Sequence, residues 1–128
     1  MARDWIWVTV EVAAAAHAEQ LAEHGGEGVR DASLFDSATA RPQNLAAYGT
    51  PDAAALAAAY AFGIARNHPF VDGNKRIAAV VSETFLLLNG HALGASDAEL
   101  AVAFLALAAG ELTEDEMADW FRAHLQQG

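Results

Sequence analysis

The sequence contains no cysteine, only three prolines and no uninterrupted apolar run of membrane-spanning length. The lack of cysteine excludes disulfide bonds, thiolate zinc sites and a cysteine nucleophile. The N-terminal residues lack the basic and apolar regions of a secretory signal. Charged residues or glycines interrupt every apolar stretch before it reaches the roughly 18 to 20 residues that a membrane span needs. We therefore expect a soluble protein of the reducing cytoplasm.

Positive charge is also scarce, with seven Lys and Arg against 17 Asp and Glu, and a formal net charge of −10. This balance disfavours direct binding to nucleic acid, because the phosphate backbone attracts a surplus of Lys and Arg. The positions of the cations are more informative than their number. Arg66, Lys75 and Arg76 lie within or beside one short stretch, NHPFVDGNKRIAA, at residues 67–79. We expect an anion to bind there.

The length and the apolar composition together indicate the fold class. A chain of 128 residues has the size of one ordinary domain and can bury a core without disulfides or structural metals. Hydrophobic residues make up 54% of the sequence, and many of them are alanine, which favours closely packed helices over strands. The sequence therefore predicts a single all-α domain over residues 1–128.

Capping residues and helix breakers predict where the helices lie. Six helix starts are predicted, at Thr9, Asp31, Thr50, Asn74, Ser96 and Thr113. A helix beginning at Asp31 is expected to stop near Arg41 and Pro42, because proline cannot continue a helix interior. Residues 41–51 are consequently predicted as the longest loop. The helices at 52–67 and 74–89 are the most apolar, so we expect them to lie at the centre of the domain.

The quoted stretch combines groups that suit a phosphate ligand. A loop that enters a helix at Asp72, Gly73 and Asn74 offers unpaired backbone N–H groups and the positive end of the helix dipole. Gly73 lets a ligand come close to the backbone. Lys75 and Arg76 are unfavourable at that end of a helix unless an anion offsets them, and both side chains suit phosphate oxygens.

Two further residues of the stretch suit phosphate chemistry. Asp72 is the only acid between Arg66 and Val81, and a lone carboxylate beside phosphates is what Mg²⁺ typically takes from a protein. His68 lies close to cations and to a helix N-terminus, which disfavours its charged form and leaves a base for a hydroxyl nucleophile. A metal-dependent hydrolase is a weaker reading, because one His and one Asp make a poor ligand set for catalytic zinc.

The string HPFVDGNKR resembles the H-x-F-x-[DE]-G-N-[GK]-R signature of the Fic/Doc family. The segments GGEGVRDASLFDSATARPQN and LLLNGH extend the resemblance, so that nearly the whole chain is similar to death-on-curing (Doc) toxins of type II toxin–antitoxin systems. The resemblance implies a compact bundle of about six helices with the motif between two central ones. It implies that His68 is catalytic, that Asp72 holds Mg²⁺, and that the nucleotide phosphates are held by Arg66, Gly73, Asn74, Lys75 and Arg76.

The resemblance also implies a reaction class. Adenylylating members typically have glycine in place of Lys75 and a second arginine in place of Ala79, and both differences favour the Doc type. Doc-type transfer would move the γ-phosphoryl group of ATP or another nucleotide triphosphate to a Thr or Ser hydroxyl of a target protein, with elongation factor Tu as precedent. Gly73 and Ile77 depart from the Doc pattern and keep adenylyl transfer open. A degenerate module that only binds its antitoxin or target is a third hypothesis.

A cognate antitoxin is the other partner that the resemblance implies. The sequence contains no convincing [ST]-x-x-x-E-[GN] inhibitory helix motif, which other members of the family carry. Control of the activity would therefore come from a separate protein.

Overall fold

The computed structural model describes residues 4–24, 32–67 and 74–127, which form six helices and a small antiparallel sheet. In chain order the elements are α1 (Val10–His24), α2 (Ala32–Ala47), α3 (Ala53–Asn67), α4 (Asn74–Leu88), β1 (His91–Leu93), α5 (Asp97–Ala108), α6 (Glu114–His124) and β2 (Leu125–Gln127). The all-α prediction is confirmed, and the pairing of β1 with β2 is a small addition that the sequence did not indicate. None of the described helices is both long enough and apolar enough to cross a membrane.

Helix α3 lies at the centre of the bundle and packs against α2, α4, α5 and α6. Its small side chains allow the neighbours to come close. At Gly63, an added side-chain carbon would lie only 3.2 Å from Cα of Ala38 on α2. Helix α4 contributes Ile77, Val81 and Phe85 to the same core. The prediction that these two apolar helices are central is therefore confirmed.

Helix α2 is longer than the sequence predicts. The expectation that it stops near Arg41 and Pro42 was wrong, because the helix continues through Pro42 to Ala47. Proline costs a backbone hydrogen bond and crowds the carbonyl of Ala38 one turn earlier. Burial of Ala38 and Pro42, on the turns where α2 meets α3, offsets that cost. The connection between α2 and α3 is therefore residues 48–52, shorter than the predicted loop at 41–51.

Three of the predicted helix caps are present in the structure. Reciprocal capping boxes join Ser96 to Glu99 and Thr113 to Glu116, as predicted. The hydroxyl of Thr9 accepts a hydrogen bond from the N–H of a residue in the first turn of α1, also as predicted. The predicted cap at Asp31 lies outside the described residues.

The N-terminal cap of α3 lies two residues after the predicted one. The carboxylate of Asp52 accepts a hydrogen bond from the N–H of Ala55 at 2.9 Å, and the helix begins at Ala53. Asp52 therefore caps α3, and the prediction of Thr50 as the cap was wrong. A carboxylate has an advantage in this position, because it also interacts with the helix dipole.

An extended N-terminal segment, residues 4–9, crosses the two central helices. The amide of Asn89 donates to the carbonyl of Ile6 and accepts from its N–H, both at 2.9 Å. The hydroxyl of Tyr60 does the same with the backbone of Val8, and burial raises the pKa of Tyr60 to about 12. These contacts hold the N-terminal segment against α3 and against the residue that follows α4.

Candidate functional site

The motif occupies the chain segment between α3 and α4, the two central helices, and the start of α4. Helix α3 ends at Asn67 and α4 begins at Asn74, and the two helices pack against each other. The predicted site residues His68, Asp72 and Gly73 fall in the connection, outside the described residues. The structure describes the side chains on either side of it, namely Arg66, Lys75 and Arg76.

The first turn of α4 is anchored in the core. Ile77 and Ala78 are completely buried, whereas Lys75 and Arg76 are exposed. The hydroxyl of Ser82 donates to the carbonyl of Ala78 at 2.7 Å. The N–H groups at the start of a helix have no partner within it, and the helix dipole makes this end positive. A firmly held helix N-terminus with two exposed cations is a suitable place for a phosphate group.

Arg66 lies on the other side of the connection, in the last turn of α3. The carbon at the centre of its guanidinium is 5.6 Å from the centroid of the Phe62 ring, within the range of a cation–π interaction. Arg41 of α2 approaches the same ring, at 5.2 Å. Gly110, which has a positive φ of 82°, lies beside Arg66, since a side-chain carbon added there would be 3.4 Å from Nη1. Arg66 is thus held by packing on Phe62 and on the turn between α5 and α6.

The cations of the described residues fall into two groups. Arg41 pairs with Glu114, and Arg122 pairs with Asp52 at 2.6 Å and with Asp119 at 2.8 Å. Within the described part of the chain, no carboxylate forms an ion pair with the remaining cations, Arg66, Lys75 and Arg76. Among the described cations, those without an ion pair are the three that the sequence singled out for phosphate binding.

An apolar groove of about 420 Å³ begins beside Lys75 and Arg76 and runs between α4 and α5. Its other lining residues are Ala79, Asp97, Leu100, Ala101, Phe104 and Leu105. Asp97 is the acid of this groove. Burial, and secondarily the charge of Asp97, raises the pKa of Glu83 on α4 above its usual range.

The expectation of a bound metal ion rests on Asp72, which lies outside the described residues. Among the side chains that the structure describes, no three His, Asp or Glu residues are close enough together to hold a metal ion. A magnesium ion needs fewer protein ligands than zinc does, because phosphate oxygens and water complete its coordination. Asp72 is the acid nearest in sequence to the unpaired cations, so the residues present are compatible with Mg²⁺.

A family model described as the Fic/DOC family matches residues 7–86, from the N-terminal segment through most of α4. The chain belongs to the Fic/DOC family. It is also 49% identical over 75 residues to a protein named Toxin Doc from Mycolicibacterium smegmatis (strain ATCC 700084 / mc(2)155). That alignment covers 56% of this chain and 57% of the toxin, so it spans little more than half of either protein.

For this member of the Fic/DOC family, the sequence singled out the three cations near the motif but did not indicate that Arg41 and Arg66 contact the same Phe62 ring. The spacing of Phe62 and Arg66, four residues apart on one helix, could have indicated their contact. Arg41 was missed because it was assigned to a loop, whereas α2 carries it against α3.

Proposed function

We propose that this protein is the toxin of a toxin–antitoxin pair, and that it transfers the γ-phosphoryl group of ATP to a Ser or Thr hydroxyl of a target protein. Membership of the Fic/DOC family and the similarity to a protein named Toxin Doc support the toxin role. Elongation factor Tu is the first target to test, because its modification would block translation. The cognate antitoxin would be a separate protein that restrains the activity.

The observation that supports the proposal most directly is that Lys75 is exposed and has no ion pair with a described carboxylate. Its side chain is exposed at the second residue of α4 and forms no ion pair with a carboxylate of the described residues. A lysine at a helix N-terminus is unfavourable by roughly 0.3–1 kcal/mol at an exposed position. A bound phosphate would reverse that effect. This makes Lys75 a better candidate for binding a triphosphate than for stabilising the fold.

In the proposed reaction, the backbone at Gly73 and Asn74 and the side chains of Lys75, Arg76 and Arg66 hold the phosphates. The target hydroxyl oxygen forms a bond to the γ-phosphorus while the bond to the β-phosphate oxygen breaks.

The hydroxyl proton passes to the imidazole of His68, and ADP leaves. Mg²⁺, when bound at Asp72, would neutralise charge on the phosphate oxygens.

Adenylyl transfer is the second candidate, and Gly73 favours it. In that reaction the hydroxyl would attack the α-phosphorus and pyrophosphate would leave. Lys75 and Ala79 argue against it, since adenylylating members of the family typically carry glycine and arginine at these positions.

The experiment that tests the proposal uses Mg-ATP labelled at either the α or the γ position. Purified protein and its His68→Ala variant are incubated with elongation factor Tu, and in parallel with a lysate from cells that lack the antitoxin. We expect γ label on a protein band, and loss of that label with the variant. Label from the α position would replace our proposal with adenylyl transfer. No label from either position would overturn both reactions and favour a module that only binds.

A further inference from the structure

Helix α5 carries an uninterrupted apolar run. From Leu100 to Ala109 the sequence has no polar side chain. The structure buries one side of this run, with Phe104 and Leu107 in the core, and leaves the opposite side in solvent. A helix that is apolar all round is normally buried on all sides. The outer side of α5 is therefore a surface that the described part of the chain does not cover.

Two large side chains form a ridge along that outer side. Val102 is 69% exposed and Leu105 is 60% exposed. The other exposed residues on this side are small, namely Ala98, Ala101 and Ala109. An apolar groove runs on each side of the ridge, one of about 420 Å³ toward α4 and one of about 520 Å³ toward α6. Helices pack on one another by fitting such ridges into such grooves. We name this surface the α5 face.

Unpaired charges stand at the two ends of the groove between α4 and α5. Asp97 is the first residue of α5, and its charge adds to the burial that raises the pKa of Glu83. Glu83 lies about two turns along α4 from Lys75 and Arg76, so the acids and the cations occupy opposite ends. Within the described part of the chain, no ion pair joins Asp97 to Lys75 or Arg76, although all three line the same groove.

A second copy of the chain matches this arrangement. In a twofold interface both partners offer the same surface, so that surface must be complementary to itself. Two α5 helices that pack in opposite directions bring the Asp97 end of each copy against the Lys75 end of the other. The ridge of each copy then faces a groove of its partner. A partner with charge of one sign would satisfy only one end of the groove.

We infer that two copies of this protein associate through the α5 face in an antiparallel twofold dimer, with Asp97 of each copy beside Lys75 and Arg76 of the other. The net charge of −10 on each chain opposes association at long range. At physiological salt, exposed charges more than about 8 Å apart are largely screened, so the close contacts decide. We therefore expect a weak dimer that forms as the protein concentration rises.

The dimer has a consequence for the proposed reaction, because it covers the cations assigned to the nucleotide phosphates. Formation of the dimer and binding of Mg-ATP should exclude each other, so the dimer would be an inactive form. This consequence rests on the proposed function, whereas the dimer itself does not.

Sedimentation velocity of the full chain tests the association. The protein is measured from about 1 µM to about 300 µM, because a dimer forms by mass action. We expect wild type to pass from monomer to dimer over this range. Leu105→Gln should weaken the dimer by about tenfold or more, since each dimer loses two buried leucines. Leu45→Gln replaces an exposed leucine on α2, and this matched control should leave the dimer unchanged.

Reversed charges test the orientation of the two copies. Asp97→Lys makes both ends of the groove positive, and the double variant Lys75→Glu with Arg76→Glu makes both ends negative. Each should weaken its own dimer by about tenfold or more, because like charges then face each other. An equimolar mixture should form a mixed dimer close to wild type in stability, since opposite charges meet at both ends. Thermal unfolding checks that each variant is folded.

Several results would overturn the inference. A monomer at every concentration would do so, and so would equal effects of Leu105→Gln and Leu45→Gln. A mixture of the charge-reversed variants that stays monomeric would rule out the antiparallel arrangement.

Adding Mg-ATP to the wild-type dimer separates this inference from the proposed function. We expect the nucleotide to dissociate the dimer. If the dimer persists with nucleotide bound, the inactive form is disproved while the dimer stands. If the protein neither binds ATP nor transfers label from it, the proposed function fails, and the sedimentation of the variants still decides whether the α5 face joins two copies.

Discussion

The cations far from the motif and those beside it differ in their ion pairs and in their position on the helix. Arg122, in the last turn of α6, lies at the favourable end of a helix dipole and pairs with two aspartates. Lys75 and Arg76 lie at the unfavourable end of α4, exposed and without a carboxylate partner in the described part of the chain. The first arrangement stabilises the folded chain. The second is unfavourable by itself and would become favourable when an anion binds.

The contrast is informative because acids are abundant in this sequence. With 17 Asp and Glu available, a pairing partner for Lys75 or Arg76 would be easy to supply. Exposed ion pairs contribute at most about 1 kcal/mol, so leaving them out costs the fold little. It leaves the positive potential at the N-terminus of α4 free for a ligand.

Replacing His68 should give the largest effect and should break the reaction without affecting the fold. We expect His68→Ala to lower the rate of phosphoryl transfer by about 100-fold or more, because general base catalysis typically contributes that much. The affinity for Mg-ATP and the melting temperature should stay close to wild type. A variant that keeps its rate would show that His68 is not the general base.

Replacing Arg122 should lower the stability of the fold and leave the reaction unaffected, the opposite of replacing His68. Arg122→Gln removes two exposed ion pairs and should lower the free energy of unfolding by about 0.5–1 kcal/mol in denaturant titration. Arg76→Gln is the matched control and should cause no such loss, because it breaks no ion pair with a described carboxylate. Equal losses in the two variants would remove the distinction between the two groups of cations.

The pH dependence of stability should show how much the ion pair of Asp52 with Arg122 contributes to the fold. The hydrogen bond from Arg122, helped by the N–H of Ala55, lowers the pKa of Asp52 below its ordinary value of 3.8. A lowered folded pKa stabilises the protein above the unfolded pKa, and that stability is lost as the pH falls through the folded pKa. Asp52→Asn retains a good helix cap, so it isolates the charge.

We therefore expect wild type to lose more stability than Asp52→Asn between about pH 5 and pH 2. Unfolding in urea at several pH values measures this difference. Parallel curves for the two proteins would mean that the pair with Arg122 is broken in solution.

Glu83 should show the smallest effect, with the opposite pH trend. Burial, together with the charge of Asp97, raises its pKa above the ordinary 4.5. The folded state then binds the proton more tightly than the unfolded state, so stability falls as the pH rises through this raised range. Glu83→Gln should remove that decline and be more stable at pH 7 by about 0.5 kcal/mol. A less stable variant would indicate that the carboxylate has a stabilising partner.

The parts of the fold that were predictable from sequence depend on local contacts. The capping boxes at Ser96 and Thr113 join residues three positions apart, so the sequence alone contains all the information. The course of α2 through Pro42 depends instead on close packing against Gly63, which lies far away in sequence. A local rule for proline could not anticipate that tertiary contact.

The same division applies to the candidate site. Charge and motif predict the phosphate-binding role of Lys75 and Arg76, which stays a prediction; both side chains are exposed and form no ion pair with a described carboxylate. The contact of Arg41 with the Phe62 ring depends on α2 continuing through residue 41, and was missed for that reason, whereas the contact of Arg66 with the same ring lies within α3. The roles of His68, Asp72 and Gly73 remain predictions from the motif.

Calorimetric titration of Mg-ATP into three proteins tests the central claim most directly. These are the wild type, Lys75→Gln at the unpaired site, and Arg122→Gln at the paired site. We predict that Lys75→Gln weakens binding by about tenfold or more, as expected for loss of a charge-assisted hydrogen bond, while Arg122→Gln changes it by less than about twofold. Equal affinity of wild type and Lys75→Gln would contradict the claim that the cations beside the motif are left unpaired for a nucleotide.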